Sequence, residues 1–410
     1  MAETKLLFDQ SIQKLNILFK FSGMNLKHKI KTPLDNIKHR WLFTFNFIWV
    51  FSAVIACVYY ILVGFVQGKD FIEVTSVAPC LTFSMLAIFK SIFYLINEDE
   101  VFNLIHGLRE LEAKGSERAH SIEKENIVKE DRDFLNTVIN VLYFLNCSMI
   151  VVFDMTPLVL IAVKYVRTKE FEMLLPYLDV WTFLPYKMKY WPIAYLHQVW
   201  SECIVLLEMG AADYLFFTCC TYIKIQFKLL KYDFTKLIAV PTDDEDSRDD
   251  IRDADIKAKF TELVKWHQDL IECSNRLETI YSMSNLLNFM SSSVVICLTG
   301  FNVTIGGDIV VVITFVTFLF MALMQVFFLC FFADMLMAES TKVSDAVYNC
   351  RWYTAQRHLV KDLILVQTRA QKPCKLTAFG FADVNLRAFT RVLSTSWSYF
   401  ALLQSVYGSV

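Results

Sequence analysis

The sequence lacks the cysteine spacing of a disulfide framework or a metal site. Its 11 cysteines are scattered singly apart from Cys219-Cys220, and no C-x-x-C pair occurs. Most of them lie inside apolar runs, where cysteine usually serves as a small apolar filler. A strong net charge is also missing, because the formal charge at pH 7 is −2, and this argues against a nucleic-acid partner. We therefore expect no bound metal, no cofactor and no enzymatic activity.

A secretory signal is missing as well. The first 40 residues contain no short apolar core followed by a small-residue cleavage site. We expect the first apolar run to act as its own membrane-insertion signal.

Apolar residues in long uncharged runs are what the sequence has in abundance. It is 55% hydrophobic, includes 36 Phe and has a mean hydropathy of +0.40. Residues 41–66, 279–307 and 309–333 carry no charge, and each run exceeds the roughly 20 residues that cross a bilayer. Four more runs qualify with a few charges inside them, at 74–96, 134–163, 190–222 and 379–406. The sequence therefore predicts an all-α, polytopic membrane protein with seven transmembrane helices.

The distribution of Lys and Arg predicts the orientation of these spans. Of the 40 basic residues, 29 lie in segments on the side of the N-terminus and 6 lie in the opposite segments. The positive-inside rule then places the N-terminus in the cytoplasm and the C-terminus outside the cell. A G-protein-coupled receptor has the opposite orientation, and its acidic-Arg-aromatic triplet after the third span is also missing. A metabotropic receptor is therefore disfavoured.

The last span, within the predicted pore segment 376–410, has one polar side. At 100° per residue, five of its residues fall within about 80° of arc, namely Arg391, Thr395, Ser398, Leu402 and Ser405. Such a stripe is useful where it lines a water-filled path, and Leu402 would then form a hydrophobic constriction. Alternatively, the hydroxyl groups bond to a neighbouring helix or to carbonyl groups four residues back. The residues alone leave both interpretations open.

The fourth span contains Glu202, Glu208 and Asp213, which cost a few kcal/mol each in a membrane unless they are neutralised or paired. Lys90 or Arg276 could pair with them. The proton relay of a secondary transporter is one interpretation, and hydrogen bonding between helices is the ordinary one. The sequence has no inverted repeat and no pair of helices broken by Gly or Pro, which disfavours the transporter.

Polar residues in the outer half of the third span predict the wall of a pocket. They are Cys147, Ser148, Asp154 and Thr156. The outer connection 164–190 is rich in aromatic residues and proline. It is either a lid over the mouth of the helix bundle or an interfacial aromatic belt.

Two amphipathic segments are predicted on the cytoplasmic side. Residues 1–40 form a segment whose apolar face lies at the membrane lipid. Residues 334–375, after the six spans of 41–333, form an anchor helix that ends before Pro373. Its apolar face needs another protein surface, which subunit assembly would supply.

Three motifs in the C-terminal third resemble the pattern of insect odorant receptors. They are AVYNCRWY at 346–353, RAQKPCKLTAFGF at 369–381 and LRAFTRVLSTSWSYFALLQ at 386–404. In that family, a Tyr-x-x-x-Trp-Tyr helix start, an Arg-Ala-Gln-x-Pro elbow and a Ser-Tyr-Phe-x-Leu-Leu end occur in this order.

The resemblance implies a ligand-gated, non-selective cation channel in the plasma membrane of sensory neurons. The channel would be a heterotetramer of odour-tuned and common co-receptor subunits, with the last helix of each subunit lining a shared pore. The gate would fall on Leu402 and its polar neighbour on Ser405. Subunit assembly would use residues around the first motif and the anchor helix, namely Tyr348, Trp352, Leu359 and Leu363.

The implied ligand is a small, volatile, apolar odorant, and a pheromone would suit the Phe-rich outer halves. The family's pocket lies in the outer halves of the second to sixth spans. By depth, this suggests Phe83, Ser148, Val152, Met155, Tyr195, Val199 and Thr299. A gustatory-type channel is the alternative, although Ser405 stands where that family has Gln. The co-receptor has a much longer loop than 223–260, so the resemblance is to an odour-tuned subunit.

Overall fold

A computed structural model describes most of the chain. The described residues are 6–24, 26, 33–117, 121–169, 171, 173–176, 189–238, 249–305 and 309–407. Within them the chain is almost entirely helical. The helices are α1 (Leu7–Ser22), α2 (Pro33–Val66), α3 (Phe71–Thr75), α4 (Ala78–Ile96), α5 (Glu98–Glu117), α6 (Ile122–Thr168), α7 (Trp191–Thr235), α8 (Asp249–Ile305), α9 (Ile309–Asn349), α10 (Arg357–Ala370) and α11 (Leu386–Tyr407).

Six of these helices are long and apolar enough to cross a bilayer, namely α2, α4, α6, α7, α8 and α9. The seventh predicted span falls mainly on α11, whose 22 residues are about 33 Å long. Its polar side lowers its average hydropathy, but its length matches the roughly 30 Å of a bilayer's hydrocarbon core. The prediction of an all-α fold with seven transmembrane helices is confirmed.

Several membrane helices continue far beyond the bilayer. The longest, α8, has 57 residues and is about 85 Å long, nearly three times the hydrocarbon thickness. Helix α7 lies at the centre of the bundle, and every residue from Glu208 to Phe227 is buried. These extensions create a helical bundle outside the membrane, against which the smaller helices pack.

Helix α1 packs against this bundle through its apolar face. The ring of Phe8 meets the ring of Tyr222 on α7 edge to face, with 4.9 Å between centroids. The carboxylate of Glu112 on α5 accepts hydrogen bonds from the first backbone N–H groups of the helix, including that of Leu7 at 3.0 Å. The buried face consists of Phe8, Ile12, Leu15 and Phe19. The expectation that this face lies on lipid is therefore corrected, because α7 extends far enough to cover it with protein.

Helix α10 packs against the same chain in a similar way. Helix α9 continues to Asn349, well past the predicted end of the span at 333, and a 3-10 turn at Trp352–Thr354 leads into α10. The apolar face of α10 is buried, with Leu359 5% and Leu363 3% exposed. The amphipathic pattern predicted that another subunit covers this face, but within the single chain the extension of α9 packs against it. Tyr348 and Trp352 are exposed, and their role in assembly stays a prediction.

A short antiparallel hairpin connects α10 to α11. Its strands are β1 (Thr377–Ala378) and β2 (Ala382–Asp383). On α8, Glu278 accepts hydrogen bonds from the backbone N–H of Thr377 at 2.6 Å and from the Thr377 hydroxyl group. At the tip, the N–H of Phe379 donates to the carbonyl of Ser282 at 3.1 Å. These bonds fix the hairpin to α8 just before α11 begins.

Candidate functional site

Helices α4, α6, α7 and α9 enclose a cavity of about 840 Å³, counting its open mouth. On α7, wall positions such as Glu202, Val205, Met209, Asp213 and Phe217 recur every three or four residues, which is the spacing of one helix face. From the first to the last of these, α7 rises about 22 Å, so the cavity is an elongated slot. The rest of its apolar wall consists of Phe83, Leu142, Met149, Leu206, Phe318, Met321, Met324 and Phe328.

A buried ion pair lies beside the inner part of the cavity. The Nζ atom of Lys90 on α4 lies 2.5 Å from Oδ1 of Asp213, and the two residues are 3% and 8% exposed. On α9, the amide nitrogen of Gln325 donates to Oδ2 of Asp213 at 3.2 Å and to Asn288 of α8 at 3.4 Å. Of the two partners that the sequence allowed, Lys90 pairs with Asp213. Arg276 pairs instead with acidic residues on α5 and on its own helix.

The three acidic residues of the fourth span have different surroundings. Glu202 lines the outer part of the cavity and contacts the side chain of Asp154 on α6. Glu208 lies against Ser91 of α4, and Asp213 pairs with Lys90. Each of the three acidic side chains contacts a different residue on a neighbouring helix. This favours the interpretation as polar contacts between helices over a continuous proton relay.

The seven predicted ligand residues do not come together around the cavity. Phe83 lines it and stacks on Phe318, with 6.2 Å between ring centroids. Val152 and Met155 point away from the bundle, with 57% and 46% of their surface exposed. Thr299 is fully buried on α8, where its hydroxyl group donates to a carbonyl of the same helix at 2.6 Å. The remaining three predicted residues are partly buried but do not line the cavity, namely Ser148, Tyr195 and Val199.

Sequence reasoning missed several wall residues, because depth in the membrane does not identify which face of a helix looks inward. On α6 the wall is formed by Leu142, Asn146 and Met149, which follow the spacing of a single helix face. That periodicity was the available signal. The ligand-binding role of the six predicted residues outside the wall stays a prediction.

The polar stripe of α11 is exposed in the single chain. All five of its residues are exposed, including Leu402 at 58%. The helix packs through a different face, where Ala388, Val392 and Ser396 are buried. Ring contacts hold this face against α8 and α9, including Phe327 with Phe389 at 5.5 Å and Phe301 with Tyr407 at 5.6 Å between centroids.

Two hydroxyl groups of the stripe also bond to their own helix. Ser398 donates to the carbonyl of Ser394 at 3.0 Å, and Ser405 donates to the carbonyl of Leu402 at 2.9 Å. These bonds belong to the second interpretation of the stripe. They use the hydroxyl hydrogens and leave the oxygen lone pairs directed outward, so they are compatible with a water-facing side.

The proposed lid over the outer mouth falls mainly on 177–188, outside the described residues. At its described edges, the indole N–H of Trp191 donates to the carbonyl of Leu174 at 2.9 Å. The ring of Phe171 meets the ring of Trp191 edge to face, with 5.8 Å between centroids. The start of α7 therefore anchors this connection.

Comparisons with known proteins agree with this architecture. Residues 70–397 match the 7tm Odorant receptor family. The chain is 27% identical to Odorant receptor 67c of Drosophila melanogaster over 342 residues, which cover 82% of this chain and 80% of that protein. It is 25% identical to Odorant receptor 85c of the same fly over 382 residues, which cover 89% and 91% of the two chains.

Solved structures show the same fold. The olfactory receptor OR5 from Machilis hrabei in complex with eugenol superimposes with a TM-score of 0.80 at 16% identity, covering 97% of this chain and 98% of that one. The structure of OR5 described without eugenol gives a TM-score of 0.79 at 15% identity over the same shares. Family membership also agrees with the expectation that the chain is not an enzyme. Because the family match covers most of its length, this chain belongs to the insect odorant receptor family.

Proposed function

We propose that the chain is the odour-binding subunit of a ligand-gated, non-selective cation channel. In this proposal it assembles with common co-receptor subunits into a heterotetramer in the plasma membrane of sensory neurons. The N-terminus lies in the cytoplasm, as the excess of Lys and Arg on its side favours. The observation that carries the proposal is the exposed polar stripe of α11, because α8 and α9 hold the opposite side of the helix and leave the stripe free.

The cavity supports the ligand-binding part of the proposal. Its wall is mostly apolar with a few polar groups, which is the composition of small-molecule pockets. The structure of OR5 holds eugenol, and we infer that the present chain takes a small volatile molecule between α4, α6, α7 and α9.

Helix α9 connects this cavity to α11. Phe328 lines the cavity, and its neighbour Phe327 packs on Phe389 near the start of α11. Ligand binding favours the open state only as far as the ligand binds that state more tightly. A ligand that binds more tightly to the position α9 takes in the open state would favour that position. Because α11 packs on α9, α11 would move with it.

Patch recording tests this proposal. Cells expressing the chain with the co-receptor should give inward cation currents to members of an odour panel. Cells expressing the co-receptor alone, at the same surface level, are the control and should not respond to those compounds. An odour response that requires an intracellular second messenger, and that vanishes in excised patches, would contradict the proposal.

A further inference from the structure

The two ends of the cavity differ in how well their polar groups are satisfied. At the inner end, both carboxylate oxygens of Asp213 accept hydrogen bonds, one from Lys90 and one from Gln325. At the outer end, Oε2 of Glu202 is buried and accepts no hydrogen bond within the described part of the chain. The unmet hydrogen-bonding capacity of the cavity therefore lies toward its outer end.

A second carboxyl group lies against Glu202. Asp154 on α6 is 3% exposed, and its side chain lies against that of Glu202. The Oδ1 atom of Asp154 is also buried and has no hydrogen-bond donor among the described residues. Two ionised carboxylates repel each other at such a site, so the pair holds at least one proton. With one proton it presents four oxygens and a single hydrogen. Acceptor oxygens remain in excess.

The cavity wall contains one more unmet acceptor. Asn146 on α6 donates from its amide nitrogen to the hydroxyl group of Tyr214 at 3.0 Å. The amide oxygen of Asn146 is buried and has no donor among the described residues. Both wall residues with unmet capacity thus lack a donor, and a bound molecule that brings one donor would satisfy one of them.

We propose, on the basis of the proposed function, that this receptor selects molecules with a terminal hydroxyl group on an apolar chain. The hydroxyl group donates its hydrogen to the Glu202 carboxyl group, and the chain extends along the slot toward Met209 and Phe217. An aldehyde or an acetate of the same length places an oxygen against an oxygen and forms no such bond. A primary amine enters as an ammonium ion, whose loss of hydration in an apolar slot costs far more than that of a hydroxyl group.

The test is a concentration series in cells that express the chain with the co-receptor. The compounds are an aliphatic alcohol and the aldehyde, acetate and amine of equal chain length. We expect the alcohol to have the lowest half-maximal concentration, by about tenfold, since one hydrogen bond to a charged or shared-proton group distinguishes it. A lower value for the aldehyde, acetate or amine would overturn the inference.

A substitution that keeps the size of Glu202 sharpens the test. Glu202→Gln replaces one acceptor oxygen by an amide donor, so the aldehyde and the acetate should gain relative to the alcohol. Glu208→Gln on the same helix, outside the cavity wall, is the matched control and should keep the order of the compounds. An unchanged order in Glu202→Gln, with currents intact and equal surface expression, would overturn the inference.

The wild-type ranking stands by itself if the Gln variant does not reach the surface. A surface-expressed wild-type channel that gives no current with any odorant would contradict the proposed function. Currents with the wrong ranking contradict only the choice of ligand class. The two failures are therefore distinguishable.

Discussion

The ammonium group of Lys90 and the carboxylate of Asp213, 2.5 Å apart, join α4 to α7 deep inside the bundle. Gln325 extends this link to α9, and its contact with Asn288 reaches α8. The four helices that meet here include three walls of the cavity and both helices that support α11. The ion pair therefore holds the relative positions of the parts that bind ligand and the parts that carry the pore stripe.

Removing one partner of this ion pair should be strongly destabilising. Lys90→Met leaves the Asp213 carboxylate buried and uncompensated, and we expect a loss of about 3–5 kcal/mol in the free energy of unfolding. Thermal unfolding of the purified receptor and its surface level in cells measure this loss. Adding Asp213→Asn, which removes the stranded charge and keeps an acceptor for Gln325, should restore most of it.

An exposed ion pair provides the control for this prediction. Lys69 lies 2.5 Å from Glu73, and their side chains are 30% and 44% exposed. Lys69→Met should therefore cost less than about 1 kcal/mol. Equal losses for Lys69→Met and Lys90→Met would show that burial does not determine the contribution of the inner pair.

Filling the cavity should reduce the odour response. Met149 lines the cavity on α6, and Met149→Trp would occupy ligand space, so we expect the half-maximal odour concentration to rise at least about tenfold. Met155→Trp changes an exposed residue of the same helix and should leave the response nearly unchanged. Concentration series in cells with the co-receptor measure both. The reverse pattern would favour the ligand residues predicted from depth.

The cap of α1 should make stability depend on pH. Glu112 lies on α5, outside the candidate spans, and burial raises the pKa of its carboxyl group above the ordinary value of 4.5. The folded state therefore binds more protons than the unfolded state just above pH 4.5, and the contribution of Glu112 to stability falls as pH rises through the raised pKa.

Glu112→Gln should remove this contribution while keeping an acceptor for the backbone N–H groups of α1. Unfolding temperatures of wild type and variant, measured from pH 4 to 8, should be most similar at the acidic end, where Glu112 is neutral like Gln. The wild type should lose stability relative to the variant as pH rises. A wild type that gains stability relative to the variant as pH rises from 4.5 would contradict the sign.

The proposed gate residue can be replaced without disturbing the fold. Leu402 is 58% exposed, so Leu402→Ser should change stability by less than about 1 kcal/mol. If its side chain narrows a water-filled path, the variant should pass current without odour. Ala401→Ser, at the adjacent position, which is also exposed, should not. Identical currents without odour in wild type, Leu402→Ser and Ala401→Ser would exclude a gate at this position.

Much of the fold was predictable because hydrophobic runs and charge distribution act over whole helices. The positions of the seven spans and the exposed stripe of α11 follow from length and periodicity alone. The partners of the apolar faces could not be predicted in this way. The amphipathic patterns of α1 and α10 define an apolar face but do not identify the surface that covers it. On α6, depth in the membrane alone does not distinguish Met149, which lines the cavity, from Met155, which is exposed. Likewise, the need of Asp213 for a partner was evident, but the choice of Lys90 depends on which helices are neighbours.

The most direct test of the account is the accessibility of the α11 stripe to water during odour stimulation. Single cysteines at the positions of Thr395, Ser398 and Ser405 would be exposed to a water-soluble thiol reagent, with Val392→Cys on the buried face as the control. None of the 11 native cysteines is exposed, which keeps the background low. We predict that the reagent modifies the three stripe positions and blocks the odour-evoked current, while the control is spared. No modification at any stripe position in channels that carry odour-evoked current would contradict a pore lined by α11.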